Sequence, residues 1–282
     1  MNSRIDLEKI TEPALLETRI CDLPLSIEGT WLQGQINQLY QELSHHQILL
    51  KPRCYLADEW VTPEDEPIIG IPFFLAHPTL IRLEKKLMLE AEGESKPEFM
   101  KLLRHEAGHA LSYAYRFQKR KRWQKVFGSA SQQYAETYRF RPYSKSFVRH
   151  LDSFYAQYHP DEDFAETFAI WLTPESDWRK RYQNWKALEK LQFVDQLMRE
   201  IRGQEPKVKR GTPYWKASTL KGRLKNYYKT KRRSQAEDYP DFHDVNLKKI
   251  FVPKSETTEA FPSAAQLIQA HRKLLLDVQF EL

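Results

Sequence analysis

Five residues, His105-Glu106-Ala107-Gly108-His109, constrain this chain more than any others. Around them Phe99, Leu102, Leu103, Ala107, Ala110 and Leu111 recur at helical spacing, which predicts a buried helix from about residue 97 to 117. Positions four apart on a helix share a face. His105 and His109 therefore present their imidazoles side by side, and Glu106 points roughly 100° around the axis. Two imidazoles and a carboxylate in a buried helix are costly unless they are paired or bind a metal ion. Two ligands with an adjacent general base for a metal-bound water form the H-E-x-x-H arrangement, and the ion it suits is zinc. Gly108 is a poor helix former, and an interior glycine of this kind predicts close approach of a second backbone.

A catalytic zinc takes three protein ligands and keeps one position open. The histidine-extended motif of the metzincins is absent, because Ser112 stands in place of its glycine and Tyr115 in place of its third histidine. The remaining ligand must come from elsewhere. Pro160, followed by Asp161, Glu162 and Asp163, marks the start of a second helix. Glu162 and Glu166 lie four apart on one of its faces. We assign Glu162 to the metal and Glu166 to the ring N–H of a ligand histidine, where it would fix the tautomer. Glu166 in the first role, or His150 or His159 as third ligand, stays open at this level.

HEAGH followed about fifty residues on by Glu162-Asp163-Phe164-Ala165-Glu166-Thr167 resembles the gluzincin clan of zinc peptidases. The block from Tyr158 to Ala169 is most similar to the bacterial zinc-binding metallopeptidases, whose pattern is H-P-W-E-D-W-A-E-T. More distantly it resembles the corresponding helix of anthrax toxin lethal factor. The resemblance covers residues 99–172. It implies zinc held by His105, His109 and Glu162, Glu106 as general base, and Tyr155, seven residues before Glu162, as oxyanion donor, a role in which His159 is the alternative. It also implies hydrolysis of peptide bonds in a protein or peptide substrate. Asp161 replaces the aromatic residue usual in the family. The zinc ribbon often found there is missing, since Cys21 and Cys54 lack ligand spacing.

The rest of the chain predicts an α+β fold, mostly helical, with a small sheet beside the H-E-x-x-H helix, and the resemblance implies that it is of zincin-like type. Trp31, Ile36, Leu39, Tyr40 and Leu43 mark an amphipathic helix over about 30–43, ended by His45 and His46. Residues 47–58 and 67–76 read as strands, and Pro72 makes the second an edge strand or a broken one. A helical region is expected from about 146, another over 174–202, and a last helix over 262–280, with residues 234–260 extended. Residues 1–203 are expected to form the catalytic domain, and 204–282 a basic segment and helix packed on it or appended to it. The net charge of +6 is unevenly spread: residues 207–233 hold eleven Lys or Arg and no Asp or Glu, interleaved with Trp215, Tyr227 and Tyr228. That stretch supports a competing reading, a nucleic-acid or anionic-partner binding protein whose zinc site is structural or inactive. No apolar run approaches a membrane span, and no signal sequence is apparent. A reducing cytoplasm is the expected location.

Overall fold

The computed structural model describes residues 5–134, 140–238, 251 and 261–272. Helix α1 (Glu12–Glu17) leads into α2 (Trp31–His45), which buries Leu32, Ile36, Leu39 and Leu43 and presents His46 at its C-terminus. Strands β1 (Arg53–Ala57) and β2 (Ile68–Pro72) follow, then α3 (Pro78–Met88), α4 (Lys96–Tyr115) and α5 (Lys121–Phe127). Helix α6 (Pro160–Leu172) comes after a 3-10 turn over Asp152–Gln157. The chain continues through α7 (Trp178–Arg181), α8 (Ala187–Ile201), α9 (Leu224–Asp238) and α10 (Ala264–Ala270). The described part is thus mostly helical with a two-stranded sheet, an α+β fold.

The H-E-x-x-H helix is the centre of the packing. In α4 every residue from Leu102 to Tyr115 is buried, and in α6 every residue except Asp161. Ser95 caps α4 by accepting the Glu98 N–H, and Pro97 occupies its first turn. A buried two-pronged ion pair fastens α2 to α4: Arg104 Nε and Nη2 donate to Glu42 at 2.8 and 2.7 Å. Lys190 of α8 reaches Asp163 of α6 at 2.5 Å.

Strands β1 and β2 pair in parallel, with Tyr55 opposite Gly70. Between them the chain doubles back, so that Val61 bridges Gly70 in antiparallel sense. Gly70 tolerates neighbours on both sides because it has no side chain: a Cβ there would lie 2.6 Å from Val61 Cγ1 and 2.8 Å from Ala57 Cβ. An exposed edge is therefore not what β2 provides, since all five of its residues are buried. Both strands are shorter than expected. Pro52 precedes β1, and Pro72 ends β2 by lacking an N–H, after which Phe73–Ala76 coil into a 3-10 turn.

Other boundaries also moved. The helix expected from residue 146 is irregular chain and then the 3-10 turn before α6. The 174–202 stretch is split into α7 and α8, with Asp177 and Asn184 at positive φ. The stretch expected to be extended from 234 begins as the last turns of α9. Of the remainder, 239–250 and 252–260 lie outside the described residues, as does the expected last helix beyond residue 272.

The basic stretch is threaded through this body. The Lys207 and Val208 N–H groups donate to Ala114 O at the end of α4. Lys216 bridges Ala57 of β1. Gly222 O and Leu220 O accept from the Ile20 and Cys21 N–H groups. Several of its cations are spoken for: Arg223 and Lys225 pair with Glu17, and Lys231 with Glu84. Tyr228 is buried, whereas Trp215 is 56% exposed.

Candidate metal centre

The two site helices meet at Gly108. A Cβ there would sit 2.8 Å from Ala165 Cα and 3.2 Å from Ala165 O. The close backbone approach expected of this glycine is thus the α4–α6 contact itself. It lets short side chains from the two helices converge.

His105 Nε2 and His109 Nε2 are 3.1 Å apart. Glu162 Oε2 lies 3.1 Å from the first and 3.2 Å from the second. A tetrahedral ion with bonds of about 2.0–2.1 Å separates its ligand atoms by about 3.3–3.4 Å. The three atoms therefore form one face of a zinc-sized tetrahedron. All three residues are buried. Glu166 Oε1 accepts from His105 Nδ1 at 2.9 Å, and its Oε2 accepts the Leu151 N–H at 2.8 Å. With its proton on Nδ1, His105 turns the lone pair of Nε2 toward Glu162 and His109. Converging lone pairs and a carboxylate oxygen call for a cation among them, and the donor set fits zinc.

Residues 84–197 match the model of a family described as putative zinc-binding metallo-peptidase. The match covers less than half of the chain. No curated protein and no solved structure matches the chain. The family segment holds both helices of the site and stops short of β1, β2 and the basic stretch.

Electrostatics within the matched segment follow from burial and pairing. Burial opposes a charged His105, yet hydrogen bonds and charge from Glu162 and Glu166 win and raise its pKa well above the ordinary value. Burial likewise opposes an ionised Glu162, and the charge of His109 with the hydrogen bonds of both histidines carries its pKa well below the usual carboxylate range. The same three atoms that attract a proton in this way attract a divalent cation in competition with it.

Three further contacts surround the centre. Glu106 Oε2 accepts from the Thr62 hydroxyl at 2.8 Å. Glu162 Oε1, turned away from the histidines, accepts from the Tyr134 hydroxyl at 2.9 Å. The Tyr155 ring centroid lies 5.8 Å from that of His105, and Tyr155 lines one cleft with His105 and Glu106. Burial raises the Tyr155 pKa, with Glu162 and Glu106 adding to the effect, so the phenol keeps its proton.

The two other histidines lie outside the triad. His159 Nδ1 accepts the Asp161 N–H at 3.1 Å as the N-cap of α6, and its Nε2 donates to Gln132 O at 2.8 Å. Both ring nitrogens are thereby engaged with backbone, and the ring stacks on Tyr134 at 3.9 Å. His150 Nε2 donates to Lys101 O at 2.9 Å, and burial lowers its pKa to about 4. Sequence reasoning did not find Thr62 or Tyr134. A signal for the role of His159 was present: His77-Pro78 repeats His159-Pro160, and His77 Nδ1 caps α3 in the same way, accepting the Thr79 N–H.

Proposed function

We propose that the chain is a zinc-dependent peptidase of gluzincin type. The observation that carries the proposal is the triangle of His105, His109 and Glu162 ligand atoms, with Glu106 and an open cleft beside it. Bound zinc would supply a Lewis acid and lower the pKa of a coordinated water toward 7. The chain's own groups do the rest. Glu106 takes the proton of the attacking water on Oε1, because Thr62 occupies Oε2, and passes it to the leaving amine. Tyr155 donates its phenolic hydrogen to the oxyanion. Glu166 holds His105 in the ligating tautomer, and Tyr134 holds Glu162 with one oxygen facing the metal.

Location in the cytoplasm belongs to the same proposal. It is supported by the free thiols of Cys21 and Cys54. Among the described residues no helix is long and apolar enough to cross a membrane.

The test is zinc content of the purified chain beside the Glu106→Gln, His109→Ala and Glu162→Ala variants, with cleavage of a casein substrate read in parallel. About one zinc per chain is expected in the parent and in Glu106→Gln, and little in the other two. Cleavage is expected in the parent alone. A parent that takes up no zinc when it is supplied would overturn the proposal.

A further inference from the structure

The cleft that opens on His105 and Glu106 has a volume of about 590 Å³. Its mouth is acidic: Glu90, Glu92, Glu98 and Asp152 line it, against one lysine, Lys101. Trp60 and Leu102 form an apolar wall beside these carboxylates. One cation has been brought to this mouth from the far end of the chain. Arg272, just after α10, pairs with Glu90 through Nη1, and its Nη2 lies 3.7 Å from Asp152.

Apolar burial does not explain why α10 lies there. The helix has no buried residue, and Leu267 and Ile268 are 42% and 43% exposed. Among the described residues, what holds it are polar contacts: Arg272 on Glu90 and Asp152, and the Gln269 side chain donating to Leu89 O. The ion-paired side chains are about half exposed, and pairs of that kind are weak and exchange readily. Guanidinium on paired carboxylates is the strongest form of such recognition, and an apolar wall suits the methylene stem behind it.

We propose that this mouth is the subsite for a basic side chain of a peptide substrate, and that Arg272 fills it as an internal stand-in that substrate displaces. The inference rests on the peptidase reading, since it names the substrate class of that site. An arginine suits the subsite better than a lysine because the two acids that hold Arg272 approach it from different segments of the chain.

The experiment separates binding from turnover. Full-length Glu106→Gln protein loaded with zinc is titrated into three labelled pools of random octapeptides whose central residue is fixed as Arg, Gln or Glu. Fluorescence anisotropy gives the affinities. With Arg272→Ala added, the Arg pool is expected to bind about tenfold tighter than before, and about tenfold tighter than the Gln pool. Adding Glu90→Gln and Asp152→Asn, both surface positions, should abolish that preference and leave zinc content unchanged. Equal affinity for the Arg and Gln pools, no effect of Arg272→Ala, or no binding of any pool would overturn the inference. Cleavage of the same pools by the chain with Glu106 intact judges the peptidase reading separately. A chain that cleaves all three pools alike would keep that reading and lose this one.

Discussion

The α4–α6 crossing and the α10 contact border the same cleft and are built in opposite ways. At the crossing the groups are buried, and each oxygen of Glu162 and Glu166 has a partner. At α10 no residue is buried, and among the described residues the contact consists of half-exposed ion pairs and one side-chain amide. A metal site tolerates little slack in its donors, so it is locked by packing. A substrate mouth must exchange its occupant, so its contacts are of the kind water can replace.

The largest effects should come from breaking the locked side. His109→Ala removes one corner of the ligand triangle, and zinc content should fall to background with complete loss of hydrolysis, measured by metal analysis and cleavage of an unstructured protein. Glu166→Ala should be milder and more informative. It leaves the triangle intact but frees the His105 Nδ1–H and leaves the Leu151 N–H without its acceptor. Zinc affinity or activity should drop about 10- to 100-fold, the range for such supporting carboxylates. Competition against a chelator measures it. An unchanged affinity would mean that packing alone orients His105.

How much of this was legible in the sequence depends on distance along the chain. His105, His109, Glu162 and Glu166 each sit on a four-residue helical period, and local periodicity is what a sequence displays best. Gly108 was legible for the same reason, as a glycine where the pattern demands a helix. Thr62 was not: it lies 44 residues before Glu106 in a turn-rich stretch and arrives through the Val61–Gly70 bridge. Tyr134 reads as one aromatic among several between residues 118 and 149, and only the fold turns its hydroxyl to Glu162. The strands were overestimated because apolar runs beside Pro52 and Pro72 continue into buried irregular chain, where composition is the same and hydrogen bonding differs. His150 and His159 were eligible ligands by type, and backbone carbonyls claim one ring nitrogen of each.

Gly108→Ala tests whether the crossing is as tight as the geometry implies. Alanine gains about 1 kcal/mol of helix propensity over glycine. Its Cβ, however, would press on the Ala165 backbone at 2.8 Å, where nothing flexible can give way. Overpacking of this sort costs about 1–3 kcal/mol, so net destabilisation of up to about 2 kcal/mol is expected in denaturant unfolding. Zinc affinity should weaken as the helices part. Thr62→Val, nearly isosteric, removes only the hydrogen bond to Glu106. The maximal rate should fall about tenfold, with zinc content and the Michaelis constant unchanged, because the base loses its orientation and no ligand moves.

The smallest effect on stability is expected where the contact is half exposed. Arg272→Ala removes both ion pairs of the α10 contact, yet half-exposed pairs contribute about 0–1 kcal/mol each and no apolar surface is uncovered. The unfolding free energy should therefore change by less than about 2 kcal/mol, and by well under that if each pair sits at the low end of its range. Raising salt should reproduce part of the substitution in the parent, since screening weakens exposed pairs and leaves buried ones nearly intact. The α2–α4 contact supplies the control: the Arg104–Glu42 pair, at 9% and 8% side-chain exposure, should be insensitive to the same salt. A stability loss from Arg272→Ala as large as that from Gly108→Ala would erase the distinction, making α10 part of the locked structure and no longer an occupant of the cleft.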